Sequence, residues 1–388
     1  MTEGESEKGI SLRQRLQEAP VTNTTPLHAE HERSGASFTD FAGYDMPLRY
    51  SSDLAEHHAV RENAGMFDLS HMAEIMVTGA QAAQFMDYAL SNRLSVLENS
   101  QAKYSLLLAA HGGVIDDLIV YRLGESEYMI VANAANREAA FTALTERTPN
   151  WDVIVEDSSD DWALIAVQGP IAKTIVDASA IDTSVPLEGL RYYRMTEGTF
   201  QSNTVYVART GYTGEDGYEI FVPSPLASAL WDEFEKVGAP HQMTLCGLAC
   251  RDTLRLEAGM PLYGHELGRD FLPAQAGLGR VVVQEKEDFV GKEALANTPQ
   301  RTRVLVGLVA EGKRAPRAGY SVVNSEGAVI GEITSGALSP TLGYPIAMAY
   351  VDSTFSDPGS ELAVDVRGSL LGVRVHPLPF YTRKKVTT

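Results

Sequence analysis

His111-Gly112-Gly113-Val114-Ile115-Asp116-Asp117-Leu118-Ile119-Val120-Tyr121 sets two adjacent acids inside an otherwise apolar run. Residues 104–110 are largely apolar too, so the segment reads as two strands joined by a hairpin turn at Gly112-Gly113. Asp is a poor strand residue, and two of them in mid-strand need a reason. Successive side chains of a strand point to opposite faces, so only one of Asp116 and Asp117 can look into a given cavity. A carboxylate held in a half-apolar cleft is costly unless paired, and is available for proton transfer or for stabilising a developing cation. Taken alone, the stretch favours the plainer reading of a turn-flanking acid pair bonded to backbone amides.

Around this hairpin lies a chain of 388 residues, more than one small core organises, so two or three domains are expected. The net charge of −19 argues against a broad nucleic-acid or anionic-membrane surface, since both need a positive footprint, but leaves room for a local basic pocket. Cys246 and Cys250 are the only cysteines, with no second pair or nearby histidine to complete a zinc site. They read as buried, reduced thiols on one helix face, and no metal is expected. No apolar run reaches the length of a membrane span, and the amino terminus lacks the charged-then-apolar order of a signal peptide. A cytoplasmic protein is expected.

Residues 1–24 are polar, carry both signs of charge and have few large apolar side chains, so they are expected to be a disordered tail. Residues 38–50 read as a turn-rich strand pair and 52–64 as a short helix opened by Ser52-Asp53. A strand at 73–77 and a helix at 80–89 follow, and after the central hairpin come a strand at 127–132 and a helix at 135–145. A second α+β lobe begins with the strand 162–168 and the helix 171–178, continues through strands at 205–209 and 217–222 and a helix at 225–237, and ends in a helix at 245–257. Beyond residue 301 helical periodicity disappears. Six short alternating segments, 304–310, 320–324, 328–335, 345–351, 361–366 and 370–376, are joined by Gly, Pro, Asn and Ser turns, the signature of a small β-barrel or sandwich. Asn297-Thr298-Pro299-Gln300 reads as the linker into it.

Two further stretches carry chemistry. In Arg209-Thr210-Gly211-Tyr212-Thr213-Gly214-Glu215-Asp216-Gly217-Tyr218-Glu219-Ile220 the glycines allow close backbone approach, Tyr212 offers an aromatic face and Glu219 a carboxylate on the outgoing strand. Such a carboxylate can accept two parallel hydrogen bonds from an amidine-like edge, as in a pterin or a guanine; a hairpin with solvated acids is an equal reading of this motif by itself. In Gly247-Leu248-Ala249-Cys250-Arg251-Asp252-Thr253-Leu254-Arg255-Leu256-Glu257-Ala258-Gly259, Leu245, Leu248, Ala249, Asp252 and Leu256 fall on one helical face, and Arg251 has few polar companions. An Arg in that setting is more often paired structurally than a ligand anchor. His71 and His265 stand alone and read as hydrogen-bonded structural histidines rather than metal ligands.

Together these stretches closely resemble the aminomethyltransferase, or T-protein, family of the glycine cleavage system, from about residue 26 to 384. The matching motifs are Gly65-Met66-Phe67-Asp68-Leu69-Ser70-His71-Met72, Gly112-Gly113-Val114-Ile115-Asp116-Asp117-Leu118, residues 209–220, residues 249–259 and Gly331-Glu332-Ile333-Thr334-Ser335-Gly336, in the same order. The resemblance implies an α+β, three-domain clover-leaf around a central folate channel. Its parts would be a discontinuous first lobe (25–72 and 161–255), a discontinuous second lobe (73–160 and 256–298) and a C-terminal β-barrel (301–388). Asp117 matches the family's essential acid and Glu219 its pterin-edge carboxylate. Met72, Tyr104, Asn133 and Tyr212 match positions lining the folate site, and Arg251 and Arg383 its polar anchors. Arg280 stands where family members often carry Trp, a departure that changes the stacking surface. The implied reaction moves the one-carbon unit from the aminomethyl-dihydrolipoyl arm of the H-protein to tetrahydrofolate. It releases ammonia, gives 5,10-methylenetetrahydrofolate, and uses no metal. The partners are then lipoylated H-protein and tetrahydrofolate, with neither nucleic acid nor membrane. Two alternatives share the superfamily. One is a tetrahydrofolate-dependent demethylase of a methylated amine or sulfonium compound. The other is a non-enzymatic folate-binding protein of iron–sulfur assembly, whose Lys-Gly-Cys-x-x-Gly-Gln-Glu segment does not occur here.

Overall fold

The central hairpin forms as its glycines dictate: Ala102–Leu108 pairs antiparallel with Val114–Gly124 across the turn, and Gly112 takes φ +88°, a conformation that side chains other than glycine rarely adopt. This computed structural model describes residues 23–297 and 302–383. The expected tail up to residue 22 and the linker at 298–300 therefore lie outside the described residues. Asn23 is already tied to the strand Tyr44–Arg49, exchanging backbone bonds with Gly43 and Asp45, and the Thr25 hydroxyl donates to Asp68 at 2.6 Å. The expected tail thus gives way to bonded structure by residue 23.

Among the described residues, the hairpin belongs to an antiparallel sheet of five strands, in the order Ala102–Leu108, Val114–Gly124, Glu127–Ala132, Ala73–Thr78, Ile154–Asp157. One face packs Ile75, Leu118, Val120 and Ile130 against the helices Ala82–Ala89 and Arg137–Thr145. A sheet of seven strands is built from Asp182–Thr183, Met195–Phe200, Asn203–Ala208, Gly217–Pro223, Trp162–Gln168, Gly65–Asp68 and Thr244–Leu245, and packs Ile165, Ile220 and Val222 against Trp231 and Phe234 of the helix Ala227–Gly238. The opposite faces of the two sheets share a core: Tyr121, Met129 and Val131 from one meet Phe67, Leu164 and Phe221 from the other, with Cys250 and Leu254 beside them. Period-2 alternation decides what looks into this space. Residues 118 and 120 go to the helical side and 121 to the shared side; likewise 220 and 222 part from 221. Asp117 and Glu219 have the parity of the shared side.

The barrel closes through Arg303–Ala310, Pro345–Asp352, Val329–Leu338, Ser321–Val323, Glu361–Val366 and Ser369–His376. The expected α+β architecture with a C-terminal barrel is thus the one observed. One short helix, Leu248–Glu257, ties the parts together. Its Arg255 donates to Glu266 at 3.1 Å and to Ser335 of the barrel at 2.8 Å. Its Glu257 accepts from Arg61 at 2.8 Å and from the Thr341 hydroxyl and amide at 2.7 and 3.0 Å, and sits 3.2 Å from His57.

Three expectations need correction. The helix expected from residue 245 starts at Leu248, because Thr244–Leu245 pairs with Gly65 and Met66 as a short parallel strand. Gly247 then presses against the Leu48 carbonyl so closely that a Cβ there would lie 2.3 Å from it. Cys246 accordingly precedes the helix that carries Cys250; both thiols are free and buried. The helix buries Cys250, Leu254, Arg255, Leu256 and Glu257, so that of the expected face Leu256 is buried while the Asp252 side chain is more than half exposed.

Candidate active site

A cavity of about 750 Å³ lies between the shared faces of the two sheets, the helix Leu248–Glu257 and the barrel. Asp117 enters it from Val114–Gly124, just after a register shift opposite Leu107 and Leu108 that leaves Ile115 unpaired. Bulges of this kind re-aim side chains next to active sites. Asp117 Oδ2 accepts from the Tyr104 hydroxyl at 3.0 Å and Oδ1 from Asn133 Nδ2 at 3.0 Å. Asp116 points the other way and is fully buried, accepting from the Asn133 backbone at 3.0 Å, Asn133 Nδ2 at 2.8 Å and Asn136 Nδ2 at 2.6 Å. Burial pushes both carboxyls well above the ordinary carboxylate range; the Asp117 charge adds to this at Asp116, while the Tyr104 and Asn133 donors oppose it at Asp117.

Glu219 reaches the cavity from Gly217–Pro223, 8% exposed, with its Oε2 accepting from the Thr210 hydroxyl. Thr210 is held in turn by the Tyr121 hydroxyl at 3.0 Å. Burial raises the Glu219 carboxyl, and the Thr210 bond and Arg251 charge counter it. The Arg251 guanidinium lies 5.1 Å from the Tyr212 ring centre and has no hydrogen-bonded acceptor among the described residues. The Tyr212 hydroxyl is fixed on the Pro261 carbonyl, and its ring lies within electrostatic reach of both Asp117 and Arg251. Met72 lines the same space.

Both family models match this chain, the GCVT N-terminal domain over residues 27–286 and the glycine cleavage T-protein C-terminal barrel domain over 303–382. The chain belongs to the glycine cleavage T-protein family. It is 57% identical over 366 residues to the aminomethyltransferase of Cutibacterium acnes, covering 92% of this chain and 98% of that one. The aminomethyltransferase of Streptomyces avermitilis is 54% identical over 372 residues, covering 93% and 98%. In three dimensions the crystal structure of glycine cleavage system aminomethyltransferase T from Bartonella henselae superposes with a TM-score of 0.86 at 37% identity, over 93% of this chain and 99% of that one. The chain is thus an enzyme of the aminomethyltransferase class.

In this T-protein family member, Met72, Tyr104, Asp117, Asn133, Tyr212, Glu219 and Arg251 come together around one cavity. Arg383 does not join them. It pairs with Asp216 at 3.4 Å, with its guanidinium 5.9 Å from the Tyr192 ring centre. Arg280 is exposed at the cavity edge. His265 bonds the Thr334 carbonyl at 3.0 Å, as a structural histidine should. His71 departs from that reading: it lines the cavity and its Nδ1 has no hydrogen-bond partner. Glu266 also escaped assignment. Its Oε2 is held by Arg255 and the Leu262 amide, Oε1 is buried without a partner, and its charge raises the Asp117 carboxyl. Its sequence neighbours, Gly264 and His265, gave no sign of this. Among the described residues no group of three or more His, Cys, Asp or Glu is placed to hold a metal ion, and no helix is long and apolar enough to cross a membrane.

Proposed function

We propose that this T-protein family member transfers the one-carbon unit of aminomethylated, dihydrolipoyl-bearing H-protein to tetrahydrofolate, releasing ammonia and forming 5,10-methylenetetrahydrofolate. The observation that carries this reading is Asp117, a buried carboxyl aimed into the cavity by Tyr104 and Asn133 and sharing it with Glu219 and Arg251. Glu219 supplies acceptors for the amino and N–H edge of the pterin, with Tyr212 and Met72 as walls. As the carbon–nitrogen bond to ammonia breaks, the sulfur-bound carbon becomes cationic and tetrahydrofolate N5 attacks it. N10 then displaces the sulfur, which leaves as the lipoyl thiol. The amino group departs as ammonia from its protonated form, and the two protons lost from N5 and N10 convert that ammonia to ammonium and the departing sulfur to the thiol. A carboxylate in a low-dielectric cavity stabilises the cationic carbon, and with its proton affinity raised it can relay a proton near neutral pH. Much of the remaining acceleration comes from holding N5 against the lipoyl carbon.

The lobes are assigned as 25–72 with 161–255 and 73–160 with 256–298, supported by the strand membership of the two sheets and by the packing of Val281 and Phe289 on Leu106, Leu108 and Val114. Two free, buried thiols suit a reducing, cytoplasmic setting. The deciding experiment is a coupled assay with aminomethylated H-protein and tetrahydrofolate that follows ammonia and methylenetetrahydrofolate together. Equimolar appearance of both supports the transfer. Methylenetetrahydrofolate formed only from a free methylated amine would place the chain with the demethylases, and folate binding without turnover would make it a binding protein.

A further inference from the structure

We propose that His71 donates a hydrogen bond from Nε2 to the carbonyl oxygen of the bound pterin, as a fixed Nε2–H tautomer; this rests on the reading of the cavity as the folate site. His71 is 2% exposed, and its Nδ1 is closed off from solvent and from every hydrogen-bonding group among the described residues. A proton on Nδ1 would bury an N–H with no acceptor, whereas a bare ring nitrogen leaves only a lone pair unmet. The proton therefore resides on Nε2. Burial, reinforced by the Arg251 charge and only partly countered by Asp68, pushes the imidazolium pKa down to about 4, so the ring is neutral in the working range.

Because Nδ1 is sealed, Nε2 is the nitrogen through which the ring can make a polar contact in the cavity it lines, and it has no protein partner among the described residues. The ring is held by its neighbours: Phe41 meets it edge-on at 5.4 Å, Tyr44 lies at 6.5 Å, and the adjoining backbone is pinned by the Leu69 amide on the Leu164 carbonyl at 2.8 Å. Arg251 is within electrostatic reach of both His71 and Glu219, which places the three on one section of the wall. That section offers two unmet donors beside one carboxylate. A pterin edge is the complement: its amino group and ring N–H serve Glu219, and the adjacent carbonyl oxygen takes the donor. His71 thus reads the oxygen that distinguishes a pterin from a diamino analogue, which puts an amino group there.

The test compares His71→Leu, which removes the donor, with His71→Gln, whose side-chain amide can replace it. Affinity for tetrahydrofolate would be measured by calorimetry, kinetics by the coupled assay, and the ring of the wild-type protein by nitrogen NMR of labelled histidine. His71→Leu is expected to weaken folate binding and raise KM about tenfold with kcat within a few-fold, and His71→Gln to recover most of the loss. The wild-type ring should show the Nε2–H pattern, fail to titrate between about pH 5 and 8, and shift its Nε2–H signal when tetrahydrofolate is added. An Nδ1–H tautomer, a titration near the ordinary histidine value, or wild-type affinity in His71→Leu overturns the proposal. If the leucine variant does not fold, the wild-type resonance and the glutamine variant decide. Wild-type protein that binds no tetrahydrofolate would remove the functional reading itself, an outcome distinct from wild-type binding that His71→Leu leaves intact.

Discussion

Asp116 and Asp117, on opposite faces of one strand, share a hydrogen-bond donor: Asn133 Nδ2 lies 2.8 Å from Asp116 Oδ1 and 3.0 Å from Asp117 Oδ1. Strand alternation alone makes Asp116 a structural acid. The shared amide links it to the cavity, because Asp116 holds the backbone and side chain of the residue that orients Asp117. Asp116→Asn is therefore expected to lose about 1–3 kcal/mol of stability. It should also lower kcat, because Asn133 loses the acceptors that fix the amide donating to Asp117. An unchanged kcat in a folded variant would show that Asp116 does not act on Asp117 through Asn133.

On the proposed reading the two cavity carboxylates separate by role. Asp117→Asn keeps the shape but can neither accept a proton nor stabilise a cation, so kcat should fall by roughly 10²-fold or more while tetrahydrofolate affinity changes little. Glu219→Gln should instead weaken tetrahydrofolate binding about tenfold, because its paired bonds to the pterin exist already in the ground state. Calorimetry and single-turnover kinetics on both variants separate these effects, and a reversed pattern would exchange the assignments.

The hairpin was legible because Gly112-Gly113 and the flanking apolar residues specify it locally; parity limited the cavity to one of the two acids, and the family resemblance singled out Asp117. The strand Gly65–Asp68 was not. Its glycine is required by close approach, a Cβ there falling 2.5 Å from Val60 and 2.6 Å from Cys246, and both neighbours come from elsewhere in the chain. His71 was misread for a similar reason: whether a buried ring nitrogen finds a partner depends on Phe41, Tyr44 and Arg251, which no local pattern brings to it.

The Arg61–Glu257–His57 cluster should act as the clamp between the helix Leu248–Glu257 and the barrel. Burial alone would raise the Glu257 carboxyl, but His57, Ser339 and Thr341 outweigh it and hold its pKa near 2. A depressed acid contributes stability above its ordinary value, near 4.5, and loses it as pH falls toward about 2. Glu257→Gln leaves the buried Arg61 paired, among the described residues, with Glu215 alone, at 3.0 Å, so a loss of about 1–3 kcal/mol is expected at neutral pH, shrinking toward zero as the acid range is crossed. Denaturant titrations of both proteins at a series of pH values would measure it, and a loss independent of pH would mean that the carboxylate charge contributes little.

Glu74 presents the opposite case. It is 1% exposed on the strand Ala73–Thr78, and neither carboxyl oxygen has a hydrogen-bond partner. Burial raises its pKa well above the ordinary value, with Asp157 adding to the shift and Arg137 opposing it. A raised acid contributes its stability below the ordinary pKa and loses it as pH climbs through the raised one, so ionising Glu74 weakens the fold on the alkaline side. Arg137 keeps Asp157 at 2.7 Å and Asp160 at 2.9 Å whatever stands at position 74, so removing the carboxyl strands no cation. Glu74→Met, similar in volume and free of unmet polar atoms, is expected to stabilise the protein by about 1–3 kcal/mol, with the margin over wild type widening as the pH is raised from about 6 to 9. A destabilised variant, or a margin that stays constant across that range, would show that the Glu74 carboxyl finds a partner in solution and is held ionised.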